Sequence, residues 1–391
     1  MSWAAYGKES SHYSPAANAT GSRFTICWFG NGSLTSLNVF LVAFICEPAI
    51  GERIQPSFKD HHDNGSIRIS GSAADTAVAV CICTFRRPAG LRRLLAGLAS
   101  QTFNDIPHPV ITVIVADNEG SLENRRVCSE FQESAFESLI YVHEQRQGIS
   151  YARNACIDNL PDGTKFVAMV DDDESPDPAW LNHLLLAHFR SGADVVVGPT
   201  LPEFDANTAS WVQDTGYFAK PQNPDSYEDL QADPPAATCN VLVNAEIFSK
   251  LGLRFDSLLA LSGGEDKLLF QDIKLRGYKF VWAARARVTE WIPAERANIA
   301  YMWREEFRRA SVRHYVKSRL KVSNPLKLLV LVPKSLARAV KNIAAGCYRV
   351  AVQLLKNPTN RSELALGALV IADGCGSIAG LLGLRSRHYR R

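Results

Sequence analysis

From residue 76 onward, short and continuously apolar runs alternate with segments of helical periodicity, and no other feature limits the fold as tightly. Residues 77–84, 110–116, 139–142, 166–170 and 195–197 read as strands. Helices are expected over 88–101, near 150–159 and over 178–190, with an acidic helix behind 110–116. Strands that are apolar at every position are buried on both faces. The pattern therefore predicts βαβ units and a mostly parallel α/β sheet flanked by helices on both sides. Ligands of such sheets sit beyond the carboxyl ends of the strands, so the polar residues that follow each run are the candidates for chemistry. After about residue 200 the alternation fades. Residues 214–235, rich in Pro, Asp and Gln, read as a long loop; a short strand over 238–243, a helix over 265–276 and one long helix over 294–321 follow.

Composition adds exclusions. With 46% hydrophobic and 21% charged residues in 391, the chain is neither disordered nor fibrous, and no internal repeat is evident. The net charge of +3 conceals a division: residues 1–300 carry 25 basic and 36 acidic side chains, whereas 301–391 carry 18 basic and 4 acidic. An acidic body with a basic tail points to an anionic surface as a partner of the tail, either membrane or nucleic acid. The nine cysteines show no zinc-ligand spacing and are expected as reduced thiols, with Cys81 and Cys83 sharing a core face. Residues 1–75 mix Ser, Gly, His and Asn around one apolar run, 39–46, which is too short to cross a bilayer and is not framed as a signal peptide; a poorly structured leader is expected.

Three acidic sites stand at or near strand ends. Asp171-Asp172-Asp173-Glu174 directly follows the run 166–170. Adjacent carboxylates repel one another unless a cation intervenes, and Mg²⁺ or Mn²⁺ takes one or two carboxylates and completes its shell with water and phosphate. In an extended segment Asp171 and Asp173 would point the same way. A solvated turn before the next helix, capped by Asp177, is the plainer reading. Asp117 follows 110–116, where a turn residue is equally reasonable. Gly263-Gly264-Glu265-Asp266 opens the helix over 265–276; its acids suit the helix dipole, its glycines permit close backbone approach, and a carboxylate there can serve as a general base. Arg153, on the helix after 139–142, reads either as a clamp for a diphosphate or, more commonly for a lone arginine, as a surface residue. Neither a G-x-G-x-x-G turn after a strand nor a Walker A loop occurs, which removes dinucleotide-binding and Walker-type ATPase readings.

In their order, these motifs resemble those of family 2 glycosyltransferases, inverting nucleotide-sugar transferases of the GT-A fold. The resemblance covers residues 77–320. Cys83 to Arg87 is similar to the family's TYNR turn, Val115 to Asn118 to its VVDN strand end, Gly148 through Asn154 to its G…ARN helix, Asp171 to Asp173 to its D-x-D, and Gly264-Glu265-Asp266 with Leu269-Phe270 to its GED…LF segment. The resemblance implies that Thr84 and Asp117 lie against the nucleotide base, with Arg153 near the base or diphosphate. Asp171, with Asp172 beside it, would reach the ribose, and Asp173, with Asp171, would hold a Mg²⁺ or Mn²⁺ ion. Asp266 would be the catalytic base, with Glu265 helping to hold the acceptor. No Q-x-x-R-W motif follows Asp266, which favours addition of a single sugar. Where many members carry a metal-binding His, this chain has Glu290. The run from Leu258 through Trp303-Arg304 is most like the succinoglycan-type branch of exopolysaccharide biosynthesis, implying UDP-glucose as donor and a lipid-diphosphate-linked oligosaccharide as acceptor. A nucleotidyltransferase of related fold and a non-catalytic membrane-bound assembly factor are the alternatives.

The chain thus divides into a leader (1–75), a GT-A domain (76–322) and a basic, apolar helical tail (323–391). Arg304, Arg308, Arg309, Arg313, Lys317 and Lys321 recur on one face of a helix, and Lys334, Arg338, Lys341 and Arg349 on another. Residues 364–384 are long enough to cross a bilayer, but Asp373 at their centre opposes insertion. An interfacial or re-entrant hairpin on an anionic membrane surface is favoured over a span, with a hairpin packed on the catalytic domain as the plain alternative. Without an aromatic platform the tail does not suit nucleic acid. The place implied is the cytoplasmic face of a bacterial inner membrane.

Overall fold

The computed structural model describes residues 76–131, 136–219, 223, 226–320 and 325–385, with side chains from 330 onward in the last segment. The expected leader, 1–75, lies outside the described residues. Ten strands and ten helices are described: β1 (Ala77–Thr84), α1 (Pro88–Ala99), β2 (Val110–Asp117), α2 (Leu122–Phe131), β3 (Ser138–His143), α3 (Ile149–Asp158), β4 (Phe166–Val170), β5 (Glu174–Pro176), α4 (Trp180–Ser191), β6 (Val195–Val197), β7 (Thr200–Phe204), α5 (Ser210–Asp214), β8 (Asn240–Asn244), α6 (Glu246–Ser249), α7 (Glu265–Leu275), β9 (Phe280–Trp282), β10 (Val288–Ile292), α8 (Ile299–Arg319), α9 (Pro325–Lys356) and α10 (Arg361–Leu381).

Seven strands form one sheet in the order β3-β2-β1-β4-β8-β6-β9, parallel except for β8. Alternation along each strand divides the core in two. Val78, Val80 and Ile82 of β1 face α1, α2 and α4, whereas Ala79 and Cys81 face α3, α6 and α7. This is the double-sided burial that the apolar runs predict. Cys83 packs against the same layer as Cys81, and the described cysteines are unbridged, as expected.

The sequence pattern does not announce a second sheet, β5-β10-β7, whose strands are short and partly polar. Two further expectations shift. The segment 214–235 begins in α5, and residues 230–233 run along β9: Leu230 N donates to Trp282 O (2.8 Å) and Asp233 N to Phe280 O (3.1 Å). The long helix starts at 299 rather than 294, because β10 and a turn precede it and the Asn298 side chain caps it by accepting from Tyr301 N. Nor does Asp177 cap α4, which begins at Trp180 without a side-chain cap.

The tail closes against the body. α10 lies between α8 and α9, and small residues allow close contact: a Cβ at Gly374 would sit 2.8 Å from Ala339 O of α9, and one at Gly376 2.8 Å from the Ala310 Cβ of α8. α10 is the single described helix long and apolar enough to cross a membrane, and about half of it is buried in these contacts. Its Asp373 accepts hydrogen bonds from Arg313 of α8 and from Asn342 of α9 (2.6 Å).

Candidate active site

Parallel register brings the carboxyl ends of β1, β2 and β3 level: Thr84 pairs with Asp117, and Asp117 with His143. The acid run follows β4, the next strand over. Glu174 closes that run into a turn. Its Oε2 accepts from Asp171 N at 2.8 Å while its own N donates to Asp171 O at 3.1 Å. Burial, reinforced by Asp171 and Asp173, pushes the Glu174 carboxyl well above the usual range. The second sheet braces this turn from behind. Glu290 of β10 stands opposite Glu174 of β5, and Trp291 N donates to Asp173 O at 2.9 Å.

Guanidinium groups answer the crowding of carboxylates. Arg87, in the turn entering α1, donates to Asp172 Oδ1 (2.9 Å) and Asp173 Oδ2 (2.8 Å). Arg296 donates to the same Asp173 oxygen (2.8 Å) and to Glu290 Oε1 (2.7 Å). Asp172 is buried and also accepts from Thr84 Oγ1 at 2.9 Å, so both residues tie β1 to the acid turn. Burial pushes Asp172 up to about 7 against the pull of Arg87, and burial also raises Glu290 against Arg296. The segment is a turn rather than an extended stretch, and the expected common direction of Asp171 and Asp173 is not kept. Asp173 faces Arg87 and Arg296, whereas Asp171 faces Arg153.

Arg153 joins the acid turn after β4 to the Glu265-Asp266 pair. Its Nη2 donates to Asp171 Oδ1 (3.4 Å), its Nη1 donates to Glu265 Oε1, and its guanidinium lies over the Phe255 ring. Asn154 holds Phe255 in place by exchanging two backbone hydrogen bonds with it, at 2.8 and 2.9 Å. Burial opposes the charge on Arg153, but Glu265 and Asp171 raise its pKa above the ordinary arginine value. α3 is aimed by its first residues: Gly148 N donates to Asn118 Oδ1 (2.7 Å) and Ile149 N to Ala260 O (3.0 Å). A small cavity opens here, lined by Cys83, Arg153, Asp171 and Thr238 among others.

Glu265 is 2% exposed, turned inward to Arg153, and its Oε2 has no hydrogen-bond partner among the described residues. Burial pushes it up to about 7 despite Arg153. Asp266 is only half-buried, and its Oδ1 accepts from Lys267 N (2.6 Å). The paired glycines before them do approach something closely, but it is α8: a Cβ on Gly264 would lie 3.0 Å from Val312 Cγ2, and one on Gly263 would run into Arg308. Asp117 is fully buried and accepts from Glu119 N (2.9 Å), Ser121 N (3.0 Å) and the Tyr141 hydroxyl (2.7 Å), which shapes the turn into α2.

The structure thus gathers Thr84, Arg153, Asp171, Asp172, Asp173 and Glu265 through direct contacts, with Asp266 next to Glu265 in the chain. Asp117 stands beside Thr84 but is spent on its own turn. Sequence reasoning passed over Arg87 as a charge partner, although it sits in the TYNR-like turn, counted Glu174 in the acid run without seeing that it closes the turn, and missed Arg296. Arg296 lies 123 residues from Asp173, and only the pairing of β5 with β10 brings them together.

A mostly parallel sheet with acidic turns at its carboxyl edge, one of them joined by an arginine to a glycine-led Glu-Asp pair, defines a GT-A-type sugar transferase site. The profile of "Glycosyl transferase family 2" matches residues 79–252, and a relative in that class matches most of the chain. The chain belongs to glycosyltransferase family 2. That relative, the succinoglycan biosynthesis protein ExoM of Rhizobium meliloti (strain 1021), is 30% identical over 320 residues, covering 79% of this chain and 94% of ExoM. Glycosyltransferase GlyA of Streptococcus pneumoniae is 22% identical over 248 residues, 61% of this chain and 33% of that longer protein. Among solved structures, S. aureus TarS 1–349 in complex with UDP aligns with a TM-score of 0.44 at 14% identity, covering 81% of this chain and 93% of TarS 1–349.

Proposed function

We propose that this enzyme adds a single sugar, glucose from UDP-glucose, with inversion, to a lipid-diphosphate-linked oligosaccharide in exopolysaccharide biosynthesis at the cytoplasmic face of a bacterial inner membrane. The observation that carries this reading is Arg153, whose contacts to Asp171 and Glu265 place the acidic turn and the Glu-Asp pair in one site. ExoM, named for succinoglycan biosynthesis, supports the polysaccharide class.

Carboxylates are the donors that a hard divalent ion takes, and Asp171 and Asp173, which face different arginines here, would exchange those partners to hold Mg²⁺ or Mn²⁺ together with water and substrate phosphate. Among the described residues no group of three or more His, Cys, Asp or Glu could cage a metal by itself, so the ion would depend on the donor. When bound, it would offset charge on the departing nucleoside diphosphate. The chain's own residues do the rest. Arg87 and Arg296 hold Asp173 and add positive charge where a diphosphate would lie. Asp266, exposed enough to meet an acceptor, takes the proton from the attacking hydroxyl. Glu265 keeps Arg153 in place from behind.

The test is transfer by the full chain with UDP-sugars, Mn²⁺ and a membrane lipid extract, reading UDP release and labelled lipid. UDP-glucose is expected to serve, and Asp266→Asn to lower turnover by about 10²–10⁴-fold with UDP affinity retained. Undiminished transfer by Asp266→Asn would remove Asp266 as the base, and pyrophosphate release would indicate nucleotidyl transfer.

A further inference from the structure

The basic residues expected to face a membrane fall into two groups. On α8, Arg308 and Arg309 pair with Glu305, Arg313 pairs with Asp373, and α10 covers the helix. Those three arginines are spent on internal pairing. α9 differs. It runs 32 residues, about 48 Å at 1.5 Å per residue, and has no acidic side chain. One face packs on α10 through Leu331, Ala339, Gly346 and Val350. On the outer side Val332, Leu336, Val340, Ala344, Ala351 and Leu355 recur every four residues or every seven. They form an apolar stripe whose members include Val332 at 51%, Val340 at 56% and Leu355 at 88% exposure. Between this stripe and the packed face runs a third strip, Lys334, Arg338, Lys341 and Lys356, again at helical spacing, while Arg349 on the same side is turned to Glu363 of α10 at 2.6 Å.

From this three-sided pattern we infer that α9 is an in-plane membrane helix: its outer apolar stripe enters the headgroup–acyl boundary of an anionic bilayer and its lysine–arginine strip lies among the lipid phosphates. The inference deepens the membrane placement proposed above, and it assigns contact to α9 rather than to the more apolar α10. A soluble protein seldom leaves so long an apolar stripe unpartnered. Apolar residues bordered by Lys334, Arg338, Lys341 and Lys356, on a helix with no carboxylate of its own, match the chemistry of an anionic interface. A second copy seated on the stripe would find no acid on this helix to answer those cations.

The test is co-sedimentation of the full chain with vesicles of phosphatidylcholine alone or mixed with phosphatidylglycerol. Binding is expected for the mixed vesicles and should weaken with salt. Val332→Ser/Leu336→Ser/Val340→Ser should lower it by about a hundredfold, given the apolar area withdrawn. Lys334→Gln/Lys341→Gln should abolish the preference for the anionic vesicles. UDP binding by calorimetry and size-exclusion mass accompany each variant. Retained UDP binding shows that the fold survives and keeps a failure of docking separate from a failure of the proposed function. Unchanged sedimentation of both variants would overturn the inference. So would a fall in oligomer mass with no change in vesicle binding, which would make a second copy the occupant.

Discussion

Arg153, Glu265 and Asp172 show how arginines and burial share out the charge of a crowded acid cluster. Glu265 and Asp172 are buried beside arginines, and burial still leaves each with a pKa pushed up to about 7, from ordinary values of 4.5 and 3.8. The sign of the consequence follows from proton linkage. An acid whose folded-state pKa is raised holds more protons folded than unfolded between its two pKa values. The stability it contributes is therefore complete below the unfolded pKa and is lost as pH rises through the folded one. Asp171, Glu174 and Glu290 are shifted in the same direction by burial. Nucleotide-free protein should melt at progressively lower temperature between about pH 5 and pH 7. Glu265→Gln, which mimics the neutral acid, should flatten that slope by its own share. Melting curves in a pH series would decide it: parallel slopes for the two proteins would mean that Glu265 titrates at its ordinary value.

The turn that aims α3 concentrates several local rules in one residue. Gly148 has φ +133°, and a Cβ there would lie 2.7 Å from the Ala260 carbonyl. Gly148→Ala should therefore destabilise by about 2–3 kcal/mol and weaken UDP binding, because Arg153 lies just over one turn along α3. Gly163→Ala is the control: φ is +83° but nothing lies within 4 Å, so only a dihedral cost of about 1 kcal/mol is expected, with UDP affinity unchanged. Chemical denaturation and calorimetry of both variants would separate strain from contact, and equal losses would refute the contact. Such elements also show what the sequence reveals. β1, β4 and β6 match their apolar runs residue for residue, because double-sided burial leaves an unbroken signature. The acidic turns were legible because they punctuate those runs. The β5-β10-β7 sheet was not, since β5 has three residues and β10 sets Thr289 and Glu290 side by side among apolar residues. With it went Arg296, whose role arises from long-range pairing that leaves no local trace. The paired glycines were recognised as a close approach, but their neighbour, α8, lies some fifty residues away in the chain.

At the scale of the molecule, the helical tail is joined to α8 of the GT-A domain inside the fold, and Asp373 is the joint. It sits in the most apolar helix, yet Arg313 of α8 and Asn342 of α9 both bond it. Burial alone would raise its pKa; the Arg313 hydrogen bond and charge outweigh that and leave it lowered. Two views of α10 therefore predict opposite effects of removing the charge. A helix crossing a bilayer would gain from Asp373→Leu, since a central aspartate costs about 2.5–3.5 kcal/mol on insertion. A helix packed between α8 and α9 would lose, because Arg313 is left as an uncompensated, largely buried cation, at a cost of about 3–5 kcal/mol. The packing described here predicts the loss: Asp373→Leu should lower the melting temperature, and Arg313→Leu in the same chain should restore part of it, since replacing both partners removes the orphaned charge. Carbonate extraction of membranes supplies the second reading, with no increase expected in the extraction-resistant fraction. A more stable, extraction-resistant Asp373→Leu protein would move α10 into the bilayer and release α9 from the surface assigned to it.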